Sequence, residues 1–147
     1  MLPGETETII VRRRIAASRD EVFDAWMDPA GMQSWMCPGD IVSAAVDLDP
    51  RVGGSLRVIM RSATATYEHR GEFTVVDRPA KLAFTWCAEN TDFLPTLVTV
   101  ELFVAPNGHC DLVLKHERLP RRDATEQYRG GWRQIVTRLE SFLGHRG

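Results

Sequence analysis

The chain has 147 residues, 44% hydrophobic and 26% charged, with a formal net charge of -2. That describes one domain with an ordinary core-forming composition and without the basic excess of a general nucleic-acid binder. No run approaches the roughly 18 apolar residues of a membrane span, so no membrane partner is expected either.

Cys37, Cys87 and Cys110 are widely spaced and odd in number. Neither a disulfide framework nor a structural zinc site is expected, no cofactor is implied, and a reducing cytoplasm is the default. The opening MLPGETETIIVRRR has no apolar stretch of the kind a secretion signal carries. Residues 1–6 read as a loose start. Thr8 to Ile15 then alternates as a half-buried strand, with Ile9, Val11 and Ile15 on one side. Arg13 falls on that apolar side, and pairing with a carboxylate is the simpler account than a place in a pocket wall. Arg12 to Arg14, and likewise Arg121-Arg122, read as solvated basic runs.

Ser18 to Met27 reads as a short helix, with Ser18 and Glu21 in a capping-box pattern and Val22, Phe23 and Trp26 on the buried side. Asp28-Pro29 stops it and starts a second, brief helix ending near Trp35, with the aspartate as N-cap. From Ile41 to His116 the chain is a series of strands between turn signals. Leu56, Val58 and Met60 share one face of Ser55 to Ser62. Tyr67, His69, Gly71, Phe73 and Val75 share one face of Tyr67 to Val76, with Val76 on the other. Leu82, Phe84 and Trp86 face one way in the next run. Asn107-Gly108 marks a hairpin between Thr96–Ala105 and Cys110–Glu117. Val98, Val100, Leu102 and Val104 face inward on its first arm, and Leu112, Leu114 and His116 on its second. His109 and Cys110, flanking the turn, read as exposed.

Asp123 to Leu143 reads as the one long helix. Asp123 serves as N-cap with Glu126 three residues on, and Gly144 follows the last apolar residue. Tyr128, Trp132, Ile135, Val136, Leu139, Phe142 and Leu143 fill an arc of about 120°. The helix is roughly 30 Å long, matching strands of about 26–33 Å. The expected fold is α+β: a curved antiparallel sheet of about six to seven strands wrapped around a C-terminal helix, with two short helices after the first strand. It forms a single domain over 1–147 with an ordered core from about 8 to 144.

The order of elements and several local motifs resemble the START-like (SRPBCC) superfamily with its helix-grip fold. Within it the chain is most similar to domains related to the activator of heat shock protein 90 ATPase. The residues that carry the resemblance are Ser18–Trp26, Asp28-Pro29, Trp35, Asp49–Gly54, Gly71–Val76, Arg78-Pro79, Leu82–Trp86, His116-Glu117 and Gly131-Trp132. The resemblance implies a cavity between sheet and long helix, often used for apolar small molecules.

The residues expected to line such a cavity are Trp35, Met60, Tyr67, His69, Phe73, Trp86, His116, Tyr128 and Trp132. They form an aromatic wall with a few convergent polar groups. Gly130 and Gly131 interrupt the long helix, and each costs about 1 kcal/mol against alanine. They imply either close helix–sheet contact or a kink, or room for a ligand at the mouth of the groove. The leading reading is binding of a small hydrophobic or aromatic molecule without catalysis. One alternative is a cyclase or hydrolase using His69 and His116 as acid and base. The other is a co-chaperone-like or homodimeric interaction module, with Ile59, Val76, Leu97, Phe103 and Val113 as outward apolar candidates. Cys37 has no identifiable base nearby and reads as a bystander thiol. His116-Glu117, adjacent on a strand, point apart and cannot share a metal.

Overall fold

In a computed structural model of the protein, residues 6–120 and 122–144 are described. Residues 1–5 of the loose start expected at 1–6, and Arg121 of the second basic pair, lie outside them. Seven strands and three α-helices follow in the expected order. They are β1 (Glu7–Ile15), α1 (Arg19–Trp26), α2 (Pro29–Trp35), β2 (Ser43–Leu48), β3 (Ser55–Arg61), β4 (Thr66–Asp77), β5 (Lys81–Trp86), β6 (Thr96–Val104), β7 (Cys110–Leu119) and α3 (Arg122–Gly144). The strands form one antiparallel sheet in the order β1-β7-β6-β5-β4-β3-β2. Its inner face carries Val58, Leu82, Val98, Val100, Leu112 and Leu114, all fully buried.

Local chemistry places the helices. Ser18 caps α1 with a reciprocal capping box to Glu21, which satisfies otherwise orphaned N-terminal groups at both ends of the box. Pro29 opens α2, but Asp28 makes no side-chain cap bond there. The proline already has the helical φ and no N–H to satisfy, so the helix starts without the cap expected of the aspartate. Asp123 is likewise not the N-cap of α3. The helix begins at Arg122, which puts Asp123 in the first turn, where a carboxylate complements the helix dipole.

The apolar stripe of α3 buries Tyr128, Trp132, Ile135, Val136, Leu139 and Leu143. The helix backbone runs closest to β1 and α2, and Trp132 reaches across to Trp86 of β5, with ring centroids 5.6 Å apart. Arg13 sits at the β1 edge, where its guanidinium donates to Glu140 (3.0 and 3.3 Å) and to Thr137 (3.1 Å) on α3. The carboxylate pairing accounts for a cation on an apolar face.

Four inward or outward assignments are corrected: those of Val75, which faces outward opposite Ala83, and of Val76, Val104 and Cys110. The β4–β5 register shifts between Phe73 and Val75. That extra residue turns Val76, opposite Leu82, toward the core rather than outward. Val104 is 74% exposed at the hairpin end, and Ala105 is buried in its place. Cys110 is fully buried, not an exposed turn residue, because β7 begins with it and pairs it to both Ile15 and Val104. Among the described residues, no helix is long and apolar enough to cross a membrane.

Candidate ligand-binding site

The sheet opens at one place. Phe73 to Asp77 of β4 pair with β5, and Arg70 makes a last bridge to Cys87. Before Arg70, the strand pairs with β3 alone. The gap this leaves is a groove of about 490 Å³, bordered by Thr66–Arg70, Cys87–Asn90, Phe93 and Gln127. Inside it, under Gln127, Tyr128, Gly131, Trp132 and Ile135 of α3, lies a chamber of about 160 Å³. Met60, His69 and Trp86 form its sheet wall, and Pro38 and Ile41 close one side. Tyr67, His69, Asn90 and Gln127 line both spaces and form the collar between them. The loop carrying Pro38 is tied to α3 by the Gly39 N–H, which donates to the Gln134 side chain.

Six of the nine expected lining residues border the chamber: Met60, Tyr67, His69, Trp86, Tyr128 and Trp132. Tyr67 does so from the rim, 45% exposed, because β4 has already left β5 there. Trp35, Phe73 and His116 are core residues that do not line it. Trp35 packs edge to face on Trp26 at 4.9 Å, since α2 lies against α1. Phe73 packs on Phe84 at 6.0 Å, in the stretch where β4 and β5 are still joined. Pro38, Ile41, Asn90 and Gln127 carry no spacing signal that would have singled them out. A buried tyrosine hydroxyl does require a partner, and the Tyr128 hydroxyl donates to Asn90 Oδ1 at 2.6 Å.

His116 touches Tyr128 and Trp132 from the sheet side, with ring centroids 4.6 and 6.0 Å away. Both its nitrogens are occupied. Nδ1 accepts from Trp132 Nε1 at 3.0 Å. Nε2 lies 2.7 Å from Thr96 Oγ1, which itself donates to the Trp86 carbonyl at 2.5 Å. Since the Thr96 proton is committed to Trp86, Nε2 is the donor and the ring is neutral. Burial, and secondly the nearby His69, push its pKa down to about 3. Burial pushes His69 down to about 4, against a smaller raising effect of the Val58 backbone. His69 stacks on Trp86 at 4.7 Å. Among the described residues, its Nδ1 and the Trp86 Nε1 are buried without a hydrogen-bond partner.

The groove outside is polar, and its Arg70 is paired with Glu68. Glu68 accepts from Arg70 (2.7 Å) and Arg57 (2.9 Å), and these bonds pull its pKa down to about 2. Cys37 is buried beside the Gln33 carbonyl, and burial raises its pKa, so it is a protonated bystander outside the chamber. Burial, with Asp111 adding to it, pushes the Cys110 thiol up to about 11. Among the described residues, no three His, Cys, Asp or Glu side chains gather as a metal site.

The glycine pair in α3 is not explained by close approach. A Cβ on Gly130 would meet no described atom within 4 Å, and one on Gly131 only the Pro38 Cβ at 3.7 Å. Both positions tolerate alanine, and Gly131 borders the chamber. Gly130→Ala is therefore expected to raise stability by about 0.5–1 kcal/mol in urea unfolding. An unchanged or lowered midpoint would show that the glycine has a role the helix geometry does not reveal.

A curved seven-stranded antiparallel sheet closed by a C-terminal helix over an inner chamber defines a helix-grip protein. The sequence profile of the Activator of Hsp90 ATPase homolog 1-like protein family matches residues 16–144, and the chain belongs to that family. No curated protein matches it in sequence. Its fold is shared with a Nitrosomonas europaea protein (20% identity, 95% of each chain covered, TM-score 0.81). A Chromobacterium violaceum protein is equally similar (20%, 92% of this chain and 96% of that one, 0.81). An Hsp90 activator from Plasmodium falciparum also shares the fold (21%, 93% and 96%, 0.76).

Proposed function

We propose that this protein binds a small apolar or aromatic molecule in the chamber beneath the first half of α3. The observation that carries the reading is a ring-lined space of about 160 Å³ beneath α3 that shares four lining residues with the open groove. An apolar cavity of about 150 Å³ is enough to take up a single aromatic ring. A thermal-shift and native mass-spectrometry screen against single-ring aromatics and hydrophobic metabolites tests it. Bound mass and a raised melting temperature are expected, and Gly131→Leu, which puts a side chain into the chamber, should abolish both. A screen in which no compound shifts the protein removes the reading.

The acid–base alternative loses one of its two histidines, since both nitrogens of His116 are spent on Trp132 and Thr96. The interaction alternative keeps four of its five outward candidates: Phe103 is 49% exposed on β6, Ile59, Leu97 and Val113 are half-buried between inward-facing neighbours, and Val76 belongs to the core. Light scattering that reports a monomer at high concentration would remove its homodimeric form.

A further inference from the structure

The main chain of β4 has an open edge along the groove. From Glu72 back toward Thr66, even-numbered residues turn their main-chain groups to the β5 side. The Glu72 N–H meets the Thr85 hydroxyl at 2.9 Å, and Arg70 exchanges both backbone bonds with Cys87, at 3.0 and 2.8 Å. Odd-numbered residues face the other way, as Phe73 does in bonding Gly53 and Gly54. The β3–β4 register runs unbroken from Glu72 to Thr66, so the alternation continues and points the N–H and C=O of Glu68 and Thr66 at the groove. Continuing the Arg70–Cys87 register would set Glu89 beside Glu68 and Thr91 beside Thr66. Instead the chain leaves the sheet in a 3-10 turn at Glu89–Thr91. The fully buried Thr91 holds that turn, its Oγ1 accepting from the Ala88 N–H at 3.1 Å and donating to the Leu94 carbonyl at 2.9 Å. Two donors and two acceptors of the β4 main chain are thus without a partner among the described residues.

The pattern of these groups says what completes them. They repeat on alternate residues, about 6.6 Å apart along the strand, which is the repeat of another extended main chain. The vacated positions take about three residues, opposite Glu68, Tyr67 and Thr66. The first and third direct their side chains outward with those of Glu68 and Thr66. The second directs its side chain inward beside Tyr67, which is 45% exposed. A ring or large aliphatic group suits that place, since cross-strand aromatic pairs stabilise a sheet. Open edges are normally guarded by lysine, proline or a covering segment. Among the described residues lining this groove there is no lysine or proline, and Phe93, 70% exposed, stands on its far side.

We infer that the groove binds an extended peptide segment of a partner protein by strand addition. The peptide runs antiparallel to β4, is bonded to the main chain of Glu68 and Thr66, and turns an apolar side chain inward beside Tyr67. This goes beyond the small-molecule reading and does not depend on it. The test is an NMR titration of the full chain with the acetylated, amidated tetrapeptide Thr-Phe-Thr-Ser. The Glu68 and Thr66 amide signals should shift and their hydrogen exchange should slow. An analogue N-methylated at both threonines keeps every side chain but should bind at least about tenfold more weakly. Replacing the phenylalanine by serine should cost a similar factor. Glu68→Pro removes an N–H that β3 does not use, so the protein should keep its fold while losing the peptide. Glu68→Gln keeps that N–H and should bind the peptide as the native protein does. Toluene binding in the chamber should survive Glu68→Pro, which separates this inference from the reading above. Equal binding of the N-methylated analogue overturns strand addition, as does binding that leaves Thr66 and Glu68 unmoved or no binding at all. A dimer in native mass spectra, with the Glu68 amide already protected, overturns the partner and assigns the edge to a second copy. The N-methyl comparison on the native protein decides the matter even if Glu68→Pro fails to fold.

Discussion

Lowering the pH from 6.5 to 5 is expected to remove about 3 kcal/mol of folding stability, about 1.5 from each of His69 and His116. Both rings are held neutral by burial, with pKa values near 4 and 3, whereas in the unfolded chain they protonate near 6.5. As pH falls below 6.5 the unfolded state takes up protons that the native state refuses, so stability falls with it. The contribution is fully present above 6.5 and is lost progressively toward the folded values. Glu68, Asp111 and Glu126 have lowered pKa values, so their contributions fade below the ordinary carboxylate range and leave the upper window to the histidines. A loss of this size is a large share of a typical domain's stability. Urea unfolding at pH 7.5, 6.5, 5.5 and 5 measures it directly.

Two variants separate the histidines. His116→Gln keeps an acceptor for Trp132 and a donor for Thr96 but cannot titrate. His69→Phe keeps a ring on Trp86 and removes a buried nitrogen without a partner. Each should roughly halve the slope between pH 6.5 and 5. His69→Phe should do so at little cost at pH 7.5, since it deletes an unpaired polar group. A slope that survives both substitutions would mean that the two rings are not buried neutral in solution.

The fold was largely legible because its signals are periodic. Alternation marked the strands from β1 to β7, Asn107-Gly108 marked the last hairpin, and the arc from Tyr128 to Leu143 marked the buried side of α3. What escaped was aperiodic. The shift after Phe73 adds one residue to β4, and Thr74 looks like any strand residue, so Val75 and Val76 were assigned to the wrong sides. The chamber was harder still. Its aromatic walls come from residues that any core pattern selects, which is why Trp35 and Phe73 were grouped with Trp86 and Trp132. Nothing in the spacing of His116 shows that its partners are 20 and 16 residues away. The glycine pair in α3 stands out for its cost to the helix, whereas Gly71, the glycine that shapes the site, reads in the sequence as one more inward position of a strand.

Gly71→Ala is expected to destabilise the protein by about 3 kcal/mol or more, at the upper end for a single substitution. A Cβ there would stand 1.8 Å from the Thr85 carbonyl oxygen and 2.8 Å from its carbon. These are backbone atoms of β5, so no rotamer change relieves the clash and the two strands must separate. The approach is built into the local bonding. Arg70 and Cys87 exchange both backbone bonds, at 3.0 and 2.8 Å, and the Glu72 N–H is taken by the Thr85 hydroxyl at 2.9 Å rather than by a carbonyl. Only a residue without a side chain lets β4 lie this close just before it departs from β5 and opens the groove. Separating the strands here would loosen Arg70 and Cys87 first, so faster amide exchange at those two residues should accompany the lost stability. Gly130→Ala is the matched control, since the same substitution in open space is expected to act in the opposite direction. A Gly71→Ala protein with an unchanged urea midpoint would mean that the strands do not approach this closely, and the mouth of the chamber would then need another explanation.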